Sequence, residues 1–225
     1  MTNSKSQIQS TYQKISRRYD WHMKVYRLVG IRIAEYRRYA VDLLKLKPGD
    51  RVVDLGCGTG LSFPHIMERI GPAGHLTGVD MTTGMLECAR ERCDRAGWNN
   101  VELVQSEIGS YKFPEEIDAV ISTGVMGYVP ECDSVIQDAA RALTSDGRLV
   151  IVDAKQPDSW PSWLFQLLFK IKKPLGLSIE YFDNHPWQSV ELNFQETTFE
   201  VRYGGWVYFT VGSKPSTQPK ILATA

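Results

Sequence analysis

Apolar positions along the chain fall into two regimes. Over residues 7–46 they repeat at helical spacing: Ile8, Tyr12, Ile15 and Tyr19, then Ile33, Tyr36, Ala40, Leu43 and Leu44, with punctuation near 28–30. Lys47-Pro48-Gly49-Asp50 stops the second of these helices. From Arg51 onward, short apolar runs at 51–54, 75–80, 101–105, 117–122 and 148–153 read as buried strands. Helical stripes at 62–70, 84–96 and 131–143 lie between them. Gly71-Pro72-Ala73-Gly74 and Gly97-Trp98-Asn99-Asn100 end two of those helices, and Thr144-Ser145-Asp146-Gly147 turns into the last run. Residues 194–201 and 206–211 read as an antiparallel hairpin joined at Gly204-Gly205, at the sheet edge. The alternation predicts an α/β chain whose sheet is mostly parallel with an antiparallel last strand.

The rest is organised around 51–61, Arg-Val-Val-Asp-Leu-Gly-Cys-Gly-Thr-Gly-Leu. The apolar run closes at Asp54, and Gly56, Gly58 and Gly60 alternate before a helix begins. Glycine suits such a turn because it tolerates positive φ and lets a ligand approach the backbone closely. Free N–H groups at the helix start can receive a carboxylate or phosphate. A dinucleotide turn would need its third glycine at position 61, which is Leu61, so a nucleotide-dependent oxidoreductase is disfavoured. Asp80 follows about twenty residues later at the end of the next strand, where a doubly wound sheet places the acid that accepts from ribose hydroxyls.

The Asp-x-Gly-x-Gly-x-Gly motif with its paired Asp80 resembles the class I S-adenosylmethionine-dependent methyltransferases. The resemblance spans about 12–212 and implies a Rossmann-like fold with S-adenosylmethionine as cofactor. It implies cofactor contacts at Asp54, Gly56, Cys57, Gly58, Gly60, Asp80, Met81, Met85, Glu107, Ile108 and Ser122. Met81 and Met85 fall near the adenine, although either also suits plain core packing. Glu107 is at the position of an acid that bonds the adenine amino group, where many relatives carry Asp. Leu143-Thr-Ser-Asp-Gly147 resembles a third motif that usually reads Leu-x-Pro-Gly-Gly; here the proline and first glycine are missing. The Tyr-Asp at 19–20 is similar to the quinone-biosynthesis C-methyltransferases, where it ends an N-terminal helix over the cofactor. This makes Tyr19 a lid residue, and Tyr12 reads as packing.

The implied organisation is a helical lid over 1–50, a core over 51–212 with an apolar, aromatic substrate-side insertion at 154–193, and a polar, disordered tail at 213–225. Met126 and Tyr128, in the loop leaving the fourth strand, are substrate-side candidates. That loop lacks the Asn-Pro-Pro-Tyr run of family members acting on amino-nucleobases. Asp153 either faces the substrate or simply ends the strand, the second being the favoured reading. Tyr19, Tyr128, His22 and His185 are the candidates for a catalytic base, and none is marked by its surroundings in sequence.

Lys plus Arg and Asp plus Glu both number 26, so no basic excess marks a nucleic-acid surface. Cys57, Cys88, Cys93 and Cys132 form no metal or disulfide pattern. The N-terminus lacks a signal-peptide core and no run is long enough to span a bilayer, which points to a cytoplasmic protein. Residues 160–173 concentrate Trp160, Trp163 and Phe165 with lysines at the end. Such a stretch suits peripheral contact with a membrane and equally suits a buried helix. The expected reaction is methyl transfer to a small or lipid-like acceptor, foremost a lipid-headgroup amine. The alternatives are C- or O-methylation of a quinone- or phenol-type ring, and a non-catalytic cofactor-binding protein.

Overall fold

The computed structural model describes Tyr12, Gln13, Ser16, Tyr19, residues 33–161 and residues 179–216. Helix α1 (Ile33–Leu44) leads into β1 (Arg51–Leu55), α2 (Phe63–Ile70), β2 (His75–Asp80), α3 (Thr83–Ala96), β3 (Val101–Gln105) and β4 (Ile117–Thr123). There follow α4 (Cys132–Ala142), β5 (Leu143–Ala154), α5 (Pro186–Asn193), β6 (Phe194–Arg202) and β7 (Val207–Pro215). The seven strands form one sheet in the order β3-β2-β1-β4-β5-β7-β6. β1 to β5 run parallel, and β7 enters antiparallel between β5 and β6. The hairpin expected at the edge is present, with β6 outermost.

Both faces of the sheet are covered, as a parallel sheet requires. Val52, Leu76, Ile121 and Val150 pack with α1, α2 and α3 on one face. Val53, Val79, Val120 and Ile151 pack with α4 and α5 on the other. Successive strand residues thus bury in opposite cores, which is why these strands read as continuous apolar runs rather than as alternation.

Two boundaries differ from expectation. The turn at Thr144–Gly147 is absorbed as an irregularity within β5: the register passes from Ile117↔Leu143 directly to Ala119↔Arg148. At the other end, β7 continues through Ser213 and Lys214 to Pro215, into the segment expected to be disordered. Ladder bonds are made by the backbone, so polar side chains do not prevent them. Lys214 also pairs with Glu196 across the hairpin, and the Ser216 N–H donates to the Asn193 carbonyl at 2.9 Å. Residues 217–225, and 162–173 of the aromatic segment, lie outside the described residues. No helix among the described residues is long and apolar enough to cross a membrane.

Candidate active site

At the carboxyl ends of β1, β2 and β4 lies a cleft, partly open to solvent. Its floor is the glycine turn. Gly56, Gly58 and Gly60 have φ of +69°, +55° and +73°. A Cβ on Gly56 would come within 2.6 Å of Val125, whereas one on Gly58 would meet nothing within 4 Å and would fill the cleft. The N–H groups of Gly56 and Cys57 both donate to the Val79 carbonyl, at 2.8 and 3.0 Å, which fastens the turn to the end of β2.

Asp80 ends that strand and is anchored through both oxygens. Oδ2 accepts from the Gly58 N–H at 2.9 Å and Oδ1 from the Thr82 N–H at 2.8 Å. Burial raises its carboxyl above the ordinary range, against the pull of those N–H donors. Each oxygen keeps lone-pair capacity toward the cleft that it lines. Cys57, Met81, Met85, Glu107 and Ile108 continue the wall from there.

Beneath the turn, Asp54 is fully buried, and neither carboxylate oxygen has a hydrogen-bond partner among the described residues. Burial pushes its carboxyl up to about 7; the Arg37 guanidinium opposes that rise and the Asp80 charge adds to it. Arg37, 7% exposed, reaches from α1 to donate to Ser62 Oγ at 3.0 Å and Thr123 Oγ1 at 2.5 Å, and it lines the cleft. The sequence reading passed over this arginine. The available signal was a charge set inside the apolar stripe of α1, between Tyr36 and Ala40.

The mouth of the cleft is made of tyrosines. Tyr12, Tyr19 and Tyr128 all line it. The Tyr12 hydroxyl donates to that of Tyr128, and the Tyr12 and Tyr19 rings sit 6.1 Å apart. Burial, first of all, raises both the Tyr12 and Tyr128 phenols well above the ordinary range, so they stay protonated. The segment carrying Tyr12 is seated on α3: the Gly84 N–H donates to Gln13 Oε1 at 2.9 Å, and Ser16 lies over the same glycine.

Several expectations change here. Tyr12 faces the cleft instead of merely packing its helix, because Tyr128 receives its hydroxyl. Asp153 does more than end a strand: it is 3% exposed, sits beneath the loop carrying Tyr128, and accepts from the Gly127 N–H at 3.1 Å. His185 lies outside the cleft lining. It is exposed, precedes α5 and meets Trp187 edge to face at 4.8 Å. Gly60, Ser122 and Asp54 also lie behind the lining. Gly60 packs on Phe63, and Ser122 donates to the Leu55 carbonyl at 3.1 Å. Met126 is buried below the loop. His22 lies outside the described residues.

These features fit S-adenosylmethionine: a side-chain-free cradle at Gly58, an anchored acid at Asp80, and a buried carboxylate beside an arginine under the glycine turn. The methyltransferase-domain family model matches residues 46–189. Demethylmenaquinone methyltransferase from Listeria welshimeri is 29% identical over 180 residues, covering 78% of this chain and 75% of that protein. Geranyl diphosphate methyltransferase, solved with S-adenosylmethionine, shares the fold at a TM-score of 0.60 and 18% identity, over 80% of this chain and 85% of that one. So does phosphoethanolamine N-methyltransferase 2 of Haemonchus contortus, at 0.61 and 17%, over 79% and 52%. The chain belongs to the methyltransferase-domain family and is a class I S-adenosylmethionine-dependent methyltransferase, similar to the quinone C-methyltransferases.

Proposed function

We propose that the protein methylates a carbon or oxygen of an electron-rich, quinol- or phenol-type ring. The hydrogen-bonded pair Tyr12 and Tyr128, in an otherwise largely apolar mouth, carries this reading. Held protonated, these phenols act as hydrogen-bond donors and acceptors and not as bases, which matches a ring oxygen better than an ammonium that must lose a proton. The relatives at 29% identity, named for demethylmenaquinone, support the same class of acceptor. The lipid-amine reading draws on the neutral charge and on residues 160–173, 186–187 and 203–208, and most of 160–173 lies outside the described residues.

S-adenosylmethionine, when bound, supplies a methyl group already activated on a sulfonium. Asp80 would hold the ribose hydroxyls, while Met81, Met85 and Glu107 would face the adenine. Gly56 and Gly58 would receive the methionine end, with Arg37 in the cleft wall facing its carboxylate. Tyr19, Tyr12 and Tyr128 close the mouth and orient the ring oxygen, which excludes water and aligns the attacking atom.

Incubation with methyl-labelled cofactor and two acceptor pools tests this: a reduced, short-chain prenylated naphthoquinol, and vesicles containing phosphatidylethanolamine. Label in the quinol supports the ring reading. Label confined to the amino-lipid overturns it in favour of headgroup N-methylation.

A further inference from the structure

The seat of Tyr128 is built by a part of the chain that no cofactor motif touches. Tyr128 ends the short helical turn Met126–Tyr128 that follows β4. The backbone of this turn is gripped from three places. From β5, the Asp153 carboxylate accepts from the Gly127 N–H at 3.1 Å and from the Ala154 N–H at 2.9 Å. From the short helix Ile179–Phe182, the Tyr181 ring covers Gly127 so closely that a Cβ there would lie 2.6 Å from it. The Tyr181 and Tyr128 rings meet edge to face at 4.6 Å. Just beyond, Asn184 Nδ2 donates to the carbonyls of Gly127 at 3.2 Å and Val129 at 3.1 Å.

Both polar groups of the Gly127 residue are therefore held by side chains, one from each flank of the segment between β5 and α5. A fully buried carboxylate is a costly way to satisfy backbone N–H groups. Tyr12, Tyr128 and Tyr208 lie near it, and none supplies a positive charge. Such a group is justified where position matters more than stability: a displacement of about 1 Å at a reacting centre can cost on the order of a hundredfold in rate.

We propose that Asp153, Asn184 and Tyr181 are positioning residues that fix the Gly127 peptide and thereby set where the Tyr128 hydroxyl stands, within reach of Tyr12 at the mouth of the cleft. This rests on the reading of Tyr128 as an acceptor-side group. Asp153 holds the peptide that precedes Gly127 and Asn184 the peptide that follows it, so loss of either tilts the turn without touching the glycine floor.

Biosynthetic 3-fluorotyrosine labelling gives a readout that needs no acceptor. The Tyr128→Phe protein identifies the Tyr128 resonance by its loss. In Asp153→Asn and Asn184→Ala the Tyr128 resonance moves or splits, while that of Tyr39, packed against the other face of the sheet, stays in place. Asn184→Asp keeps the volume and removes both donors, so it behaves like the alanine variant. On the acceptor that takes label, kcat falls about tenfold or more in each, with the KM for S-adenosylmethionine and its calorimetric affinity unchanged. An unmoved Tyr128 resonance in all three variants overturns the proposal. So does a loss of cofactor affinity in step with kcat, which marks a merely structural role. Failure of the ring reading shows separately, as label in a different acceptor.

Discussion

The Gly58 N–H and the Asp80 carboxylate are joined by a 2.9 Å hydrogen bond, so the glycine turn and the acid that ends β2 move as one unit. The second Asp80 oxygen carries the Thr82 N–H at the start of α3.

Asp80→Ala removes a ribose acceptor and strands two N–H donors. Affinity for S-adenosylmethionine is expected to fall by about tenfold or more, with about 1–3 kcal/mol lost from stability. Asp80→Asn, which still accepts at one oxygen, falls between alanine and wild type. Calorimetric titration and thermal melts check both, and unchanged cofactor affinity in the alanine variant removes Asp80 from the site.

Arg37→Ala deletes the donor to Ser62 and Thr123 and leaves Asp54 without its facing cation. Hydrogen bonds from charged groups in buried settings predict a loss of about 2–3 kcal/mol together with weaker cofactor binding. Arg37→Lys restores the charge and only one of the two bonds, so it recovers part of each loss. Urea unfolding and equilibrium binding separate the two effects.

Stability should depend on pH through Asp54 and Asp153, each raised to about 7 by burial. An unfolded aspartate titrates near about 3.9. The folded state therefore holds these protons more tightly, and the stabilisation is full below about pH 4 and lost as pH rises through about 7. Without cofactor, the melting temperature is expected to be lower at pH 8 than at pH 5.5, and Asp54→Asn should flatten part of that slope. Glu196 and Glu200 have lowered carboxyls and titrate below this window. A melting temperature that rises over pH 5.5–8 would refute the assignment.

Gly84 is the seat of the N-terminal segment. A side chain there meets Gln13 Nε2 at 2.7 Å and Ser16 Oγ at 2.8 Å. Gly84→Leu should lift Tyr12 away from Tyr128 and speed cofactor release several-fold. The Tyr39 ring against Phe209, at the β7 end of the same core, should be unaffected. Stopped-flow release of a fluorescent cofactor analogue measures it; an unchanged rate means that the segment does not cover the cofactor.

Tyr128→Phe keeps the ring against Tyr181 and deletes the hydroxyl that Tyr12 reaches. Turnover on the accepted ring should drop by about ten- to a hundredfold, with cofactor affinity preserved. Equal loss of cofactor affinity would place Tyr128 on the cofactor and not on the acceptor.

The sequence by itself determined the strand-turn-helix at 51–61, the pairing of that turn with Asp80, and the alternation that builds a parallel sheet. These are local: three glycines at fixed spacing dictate their own backbone, and an acid closing a strand lands beside the turn of its neighbour. Only the folded chain shows which side chains line the cleft beside Tyr128. Tyr12 and His185 were both polar aromatic residues without distinguishing neighbours in sequence. Only the seating of Gln13 on Gly84 brings the first to Tyr128, and only the start of α5 turns the second out to solvent. Arg37 and Asp153 differ from ordinary charged residues only in being buried, by α1 on one face and by the Tyr128 loop on the other. Burial of a charge is set by which elements pack over it, and that packing depends on contacts between distant parts of the chain, which no local pattern records.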